Sequence, residues 1–230
     1  MDSITKVKSI TLWIFIIPFV AINICLILIT QFHELFPNQE DILHNTIPYI
    51  DGGASISRTA RVFPTYLVFK PAMFVTSYLL VKYWIYNKKI ISTIDPDNKN
   101  LKIIIFFGIG SAILLTVHSI FLGIKFDYDL YKLFRRVVIA LFILFEIVAQ
   151  AYLVLTLYKI KKDIISYINF NFLRLKRFLV SLLIIIAVAS IPIISMPGNK
   201  FFKHALEWDY FLGVITFYLL TYLMWKKKLN

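Results

Sequence analysis

Six runs of mostly apolar residues alternate with charged segments along the chain, and each run predicts one helix. They cover Ile10–Thr30, Phe63–Tyr86, Leu101–Ile124, Val137–Tyr158, Phe178–Met196 and Asp209–Trp225. A helix rises about 1.5 Å per residue and the hydrocarbon core of a bilayer is about 30 Å thick, so about 20 such residues cross it. The pattern therefore predicts an all-α, six-helix transmembrane bundle forming one domain over residues 1–230, with no internal repeat. The first run follows Lys6 and Lys8 as a signal peptide would, but it is too long for a signal core and no small-x-small cleavage site follows. It is expected to stay as an anchor.

The connections are short except for the first, Gln31–Val62. Pro37, Pro48 and Gly52-Gly53 forbid one continuous helix there, while Ile42, Leu43, Ile47, Tyr49, Ile50 and Ile56 make it too apolar for a linker. An ordered loop folded over one mouth of the bundle is expected. The fourth connection, Lys159–Arg177, interleaves bases with Ile164, Ile165, Tyr167, Ile168, Phe170 and Phe172. It suits either an interfacial segment or a snorkelling extension of the flanking helices.

Composition agrees with the pattern. Hydrophobic residues make up 59% of the chain, above the roughly 45–50% of soluble domains, so a water-soluble core is excluded. Charge then supplies orientation. Sixteen of the 25 Lys and Arg fall at the N-terminus, the second and fourth connections and the C-terminus, against eight in the first, third and fifth connections. Both termini are expected to be cytoplasmic, with the long first loop lumenal or extracellular. The net charge of +12 is spread over loop ends, which suits anionic lipid surfaces and argues against nucleic acid. Cys25 is the single cysteine and lies within the first run, so no disulfide framework or cysteine metal site exists.

Chemistry is sought among polar groups at membrane depth. Glu146 lies near the middle of the fourth run, with Gln150 one turn later on the same face. Lys70 and His118 lie roughly 10 Å below the outer surface, and these three are expected to meet in one cavity. A Lys70–Glu146 pair that merely pins the bundle is the structural alternative. His33, His44 and His204 can reach the same mouth, beside Asp51, Asp127, Asp129, Glu207 and Asp209, yet no spacing typical of metal ligands occurs and no cofactor is expected. Gly108 and Gly110 lack a phosphate-loop continuation and are read as close-packing positions. Tyr83, Trp84, Tyr86, Trp208 and Trp225 are read as an interfacial aromatic belt.

The segment Ile47-Pro48-Tyr49-Ile50-Asp51-Gly52-Gly53, Arg58 and Arg61 before the second run, and His204-Ala205-Leu206-Glu207-Trp208 before the last, together with the six-run layout, resemble the FRAG/DRAM membrane family. Its GPI-anchor lipid-remodelling branch is the most similar. The resemblance implies exchange or reacylation of GPI-lipid fatty chains, or recognition of such lipids at the lumenal leaflet. On this reading Asp51, Arg58, Arg61 and Lys70 bind a lipid head group, and His118, Glu146, His204 and Glu207 are the acid–base candidates. Membrane lipids are the expected partner. Lys227 and Lys228 resemble a dilysine retrieval signal, giving an endoplasmic-reticulum or Golgi address in a eukaryote and the cell membrane otherwise; a basic stop clamp is the alternative. Two other functions stay open: a channel or ion-coupled transporter lined by Lys70 and Glu146, and a non-catalytic scaffold or chaperone.

Overall fold

The computed structural model describes residues 2–124, 126 and 128–226. Lys125, Asp127, Lys227 and Lys228, which entered the charge count, the outer acidic set and the retrieval motif, lie outside the described residues. Nine helices are formed among them: α1 (Asp2–Gln31), α2 (Pro48–Asp51), α3 (Ile56–Ala60), α4 (Thr65–Ile94), α5 (Leu101–Phe121), α6 (Asp129–Lys159), α7 (Lys161–Ile164), α8 (Phe170–Ser195) and α9 (Lys200–Met224). The protein is all-helical, and six of these helices are long.

Each apolar run coincides with a long helix, but the ends differ: α1 and α6 overrun their runs on both sides, while α5 stops at Phe121, short of Ile124. Backbone hydrogen bonding continues through polar residues, so hydropathy marks the buried stretch while the turns set the boundary. Asn98, for instance, donates its backbone N–H to Asp95 and its side chain to the Asp95 carboxylate, closing the turn between α4 and α5. Four helices, α1, α5, α6 and α8, are long and apolar enough to cross a membrane. The other two, α4 and α9, match them in length. They are diluted by Lys70, Lys82, Lys88 and Lys89 in α4, and by Glu207, Asp209 and several tyrosines in α9.

The six long helices close into a ring. α1 packs on α4, α4 on α5, α5 on α6, α6 on α8, α8 on α9, and α9 returns to α1. Large apolar side chains such as Phe74, Ile113, Leu155 and Ile185 remain exposed on its outside. Inside, the core is aromatic. Tyr83, Trp84, Trp208 and Trp225 are wholly buried, which corrects their reading as an interfacial belt. Their rings face the ring's interior because the helical period turns them away from the outer surface, a distinction that position along the chain does not carry.

Gly108 behaves as the spacing implied. A Cβ added there would lie 2.3 Å from the Trp84 ring, so α5 and α4 approach as closely as they do only without a side chain at this position. The fourth connection is mostly helix, since α6 runs to Lys159 and α8 begins at Phe170. Its remaining turn is tied to the end of α9: Asn169 donates its N–H to Met224 O at 2.8 Å and Lys226 to Tyr167 O at 2.9 Å.

Gly108→Leu is expected to lower the thermal midpoint in detergent, at a cost of about 1–3 kcal/mol for overpacking. Ile113→Val on the outer face of the same helix should leave it unchanged. Equal midpoints for both variants would contradict the close α4–α5 contact.

Candidate functional site

Two polar regions stand out, one in the centre of the ring and one beneath the first loop. The central region is built on Glu146, whose side chain is 1% exposed. Its carboxylate lies against Ser111 Oγ at 2.6 Å, receives Gln150 Nε2 at 3.0 Å, and is hydrogen-bonded by the Tyr218 hydroxyl. Gln150 also donates to Val214 O at 3.3 Å, so α5, α6 and α9 meet at this carboxylate. Gln150 follows Glu146 by four residues, the separation that places two side chains on one helical face.

A second buried ionisable side chain, on α8, meets α9 farther along that helix. Lys176, wholly inaccessible, donates to Thr221 Oγ1 at 2.7 Å and stands 4.0 Å from the centre of the Phe217 ring. It was counted among the bases of the fourth connection, and the structure corrects that placement. Leu173, Lys176, Val180 and Leu183 are buried at helical spacing while Leu175 and Phe178 face out. Lys176 therefore lies on the inward stripe of α8. Tyr218 and Thr221 are one turn apart on α9, so a single helix face carries the partners of both charges.

Lys70 and His118 do not join Glu146. Lys70 Nζ donates to Ile120 O at 3.3 Å, satisfying a carbonyl in the last turn of α5, where a cation also opposes the helix dipole. Ile120 is nine residues beyond Ser111, so Lys70 stands roughly 13 Å from the level of Glu146 along the helix axis. Lys70 therefore stands apart from Glu146, and the expected pair between them is not formed. His118 is two turns beyond Ser111, roughly 10 Å away, and its ring makes no hydrogen bond among the described residues. The single cavity expected to hold all three is absent from the described residues.

The first loop forms the second region. Ile29, Phe36, Ile42, Leu43 and Ala54 make a small apolar cluster of their own, and the loop folds over one end of the ring as a roof. Helix α9 holds it there. His204 Nδ1 bonds Gly52 O at 2.9 Å, Trp208 Nε1 donates to Ala54 O at 2.8 Å, and the Glu207 carboxyl faces the backbone N–H groups of Ile56 and Ser57. Ser55 Oγ accepts the N–H of Arg58 at 3.2 Å, a side-chain cap on the first turn of α3. Gly52 has φ of 62° and lies so close to the Phe201 carbonyl that no side chain fits.

The acid–base candidates at this end are thus engaged in structure. Burial pushes the Glu207 carboxyl up to about 7, against the lowering effect of the two amides. Burial also lowers the His204 imidazole, with Lys200 and Arg58 adding to it and the Gly52 bond opposing, so a neutral ring donates to that carbonyl. At Asp51, slight burial acts upward but is outweighed by the N–H groups of Gly53 and Ile47, both at 2.7 Å, and by the Thr46 hydroxyl. The carboxyl is held below its usual range. Asp51 closes the 46–53 turn with all of these bonds, which accounts for it without a lipid head group.

Arg58 and Arg61, by contrast, bond no carboxylate among the described residues. Arg135 from α6 reaches α3, its Nη2 3.4 Å from Ser57 Oγ, with its Nε buried and without a hydrogen-bond partner among the described residues. Burial lowers Arg61, the charges of Arg135 and Arg58 lower it further, and Asp41 opposes them. His33 and His44 stack edge to face at 4.8 Å, with His33 Nε2 2.8 Å from Thr30 O. No group of three or more His, Cys, Asp and Glu gathers for a metal among the described residues.

Reading the sequence missed Lys176, Ser111, Tyr218, Trp208 and Arg135 as members of these sites. The helical period extended back through the fourth connection would have found Lys176. Arg135 carries no local signal for its distant partner, because Ser57 comes from α3. No family model, curated protein or solved structure matches this chain.

Glu207 makes the roof pH-sensitive in a defined direction. Its raised value means that the folded state holds this proton more tightly than the unfolded one. Its stabilising contribution is complete below the ordinary value of 4.5 and is lost as pH rises to about 7. Between about pH 5 and about pH 8 the thermal midpoint of wild type should fall more steeply than that of Glu207→Gln. Parallel curves would remove Glu207 from the roof's energetics.

Proposed function

We propose that the chain is a six-span integral membrane protein with both termini on the cytoplasmic side, whose roofed end binds lipid at the lumenal or outer leaflet. By its resemblance to the FRAG/DRAM family, it serves in the fatty-acid remodelling of GPI-anchored lipids in the endoplasmic reticulum or Golgi. The carrying observation is the roof itself, a folded apolar loop held by α9, with Ile50 81% exposed and Ile47 and Phe201 also presented outward. Exposed apolar side chains on a folded loop suit the boundary between acyl chains and head groups.

Binding fits the geometry better than acid–base turnover. His204 and Glu207 spend their polar atoms on the roof's backbone, and Glu146 is enclosed by three polar partners. Of the four acid–base candidates only His118 keeps a ring without hydrogen bonds. The protein accordingly acts by presenting a lipid, with any chemistry left to His118 or to a partner enzyme.

The test is the acyl-chain profile of GPI lipids from cells lacking this chain, complemented with wild type or with Trp208→Ala. Loss of the chain should alter the profile, wild type should restore it, and Trp208→Ala, which unhooks Ala54, should restore it only partly. A profile indifferent to the chain would end the remodelling assignment.

A further inference from the structure

Two ionisable side chains lie inside the ring, Glu146 on α6 and Lys176 on α8, and binding of lipid at the roof involves neither. Ionisable groups at membrane depth are costly, and where a fold keeps them they mark sites that handle ions or protons. Glu146 and Lys176 form no ion pair with each other. Each meets a hydroxyl of α9 instead: Tyr218 bonds the Glu146 carboxylate, and Thr221 Oγ1 accepts from Lys176 Nζ at 2.7 Å. Tyr218 and Thr221 are three residues apart, so their side chains are neighbours on one face of the helix.

Tyr83, on α4, adjoins both. Its ring meets the Tyr218 ring edge to face at 5.0 Å, and its hydroxyl faces Thr221. That hydroxyl is wholly buried and has no hydrogen-bond partner among the described residues. A buried hydroxyl left unbonded is costly, and this one stands where the two bonded pairs approach each other. Both observed bonds also run in the same direction, from amine to hydroxyl and from hydroxyl to carboxylate. The Thr221 O–H is turned aside onto Phe217 O at 2.9 Å, and rotation about its Cβ–Oγ bond aims it at Tyr83.

We infer that Lys176, Thr221, Tyr83, Tyr218 and Glu146 form a proton relay inside the bundle, joining the Glu146 carboxyl to solvent at the end of the ring opposite the roof. The Lys176 ammonium gives a proton to the Thr221 oxygen as Thr221 gives its own to Tyr83, Tyr83 to Tyr218, and Tyr218 to the Glu146 carboxylate. One N–H bond breaks and one O–H bond forms at the two ends. Each hydroxyl loses one proton and gains one, so ammonium and carboxylate become amine and acid. The neutral pair is favoured here because separated charges in a low-dielectric interior cost more than the acid and the amine. The reverse sequence returns the proton, and the carboxyl thereby exchanges with solvent through Lys176. The way out on that side is short. Lys176 is six residues into α8 and Thr221 three residues from the end of α9, roughly one to two turns from the exposed Lys226. Toward the roof, α6 runs 17 residues back from Glu146 to Asp129, roughly 25 Å.

The test follows hydrogen–deuterium exchange of the Glu146 carboxyl by infrared spectroscopy, on the purified full-length chain in nanodiscs. The C=O band of a protonated carboxyl moves to lower frequency in D2O, and the band that is lost in Glu146→Gln and moved in Glu146→Asp identifies the residue. Lys176→Met, Thr221→Val and Tyr83→Phe keep side-chain shape while removing one proton carrier. Each should slow the exchange by roughly a hundredfold or more, the contribution of a positioned proton-transfer group. Lys132→Gln should exchange as wild type does. A variant that merely loosened the packing would open the interior and speed exchange, so slowing separates a relay from a structural role. Unchanged or faster exchange in any of the three variants overturns the relay. So does a wild-type band that does not exchange, or the absence of any protonated-carboxyl band that responds to substitution of Glu146.

Discussion

Helix α9 is the constraint on which the structure depends. It closes the ring by packing on both α8 and α1, and its polar residues leave in two groups from its two halves. The half nearer the roof sends His204, Glu207 and Trp208 to the backbone of the first loop. The other half supplies Tyr218 to Glu146 and Thr221 to Lys176. In a low-dielectric interior each of these groups would be costly unpaired, and α9 is where their partners are. Association of helices in lipid gains little from the hydrophobic effect, so packing contacts such as Gly108 on Trp84 and a few buried hydrogen bonds fix the geometry.

This arrangement separates two tasks that the sequence presents as one. Glu146 is a bundle-centre group that joins three helices, while His204 and Trp208 at the other half of α9 hold the first loop. The distance between them along α9 is about two to three helical turns. The roof over the first loop and the buried polar core are therefore linked through α9, not through a shared cavity.

Much of this was readable from the chain. Apolar runs located all six long helices, the four-residue spacing of Glu146 and Gln150 placed them on one face, and the glycines of α5 were correctly taken as packing positions. The first loop's proline, glycine and isoleucine content pointed to an ordered cover. What escaped was direction. Trp84 and Trp208 lie near the ends of apolar runs as belt residues do, yet the helical phase turns them inward. Lys176 is flanked by Arg174 and Arg177, so it reads as part of a basic stretch, although the period set by Leu173 and Val180 buries it. The convergence of Lys70, His118 and Glu146 was argued from depth alone. Depth places residues at a level in the membrane and says nothing about which neighbour each one faces.

The most direct test of the account is amide hydrogen exchange across residues 48–60 in the intact protein reconstituted in nanodiscs. The account predicts slow exchange at Ile56 and Ser57, whose amides are held by Glu207, with the whole stretch becoming fast together when Glu207 and Trp208 are both replaced by Ala. Fast exchange of this stretch in the wild-type protein would contradict it, because α9 would then not hold the first loop at all.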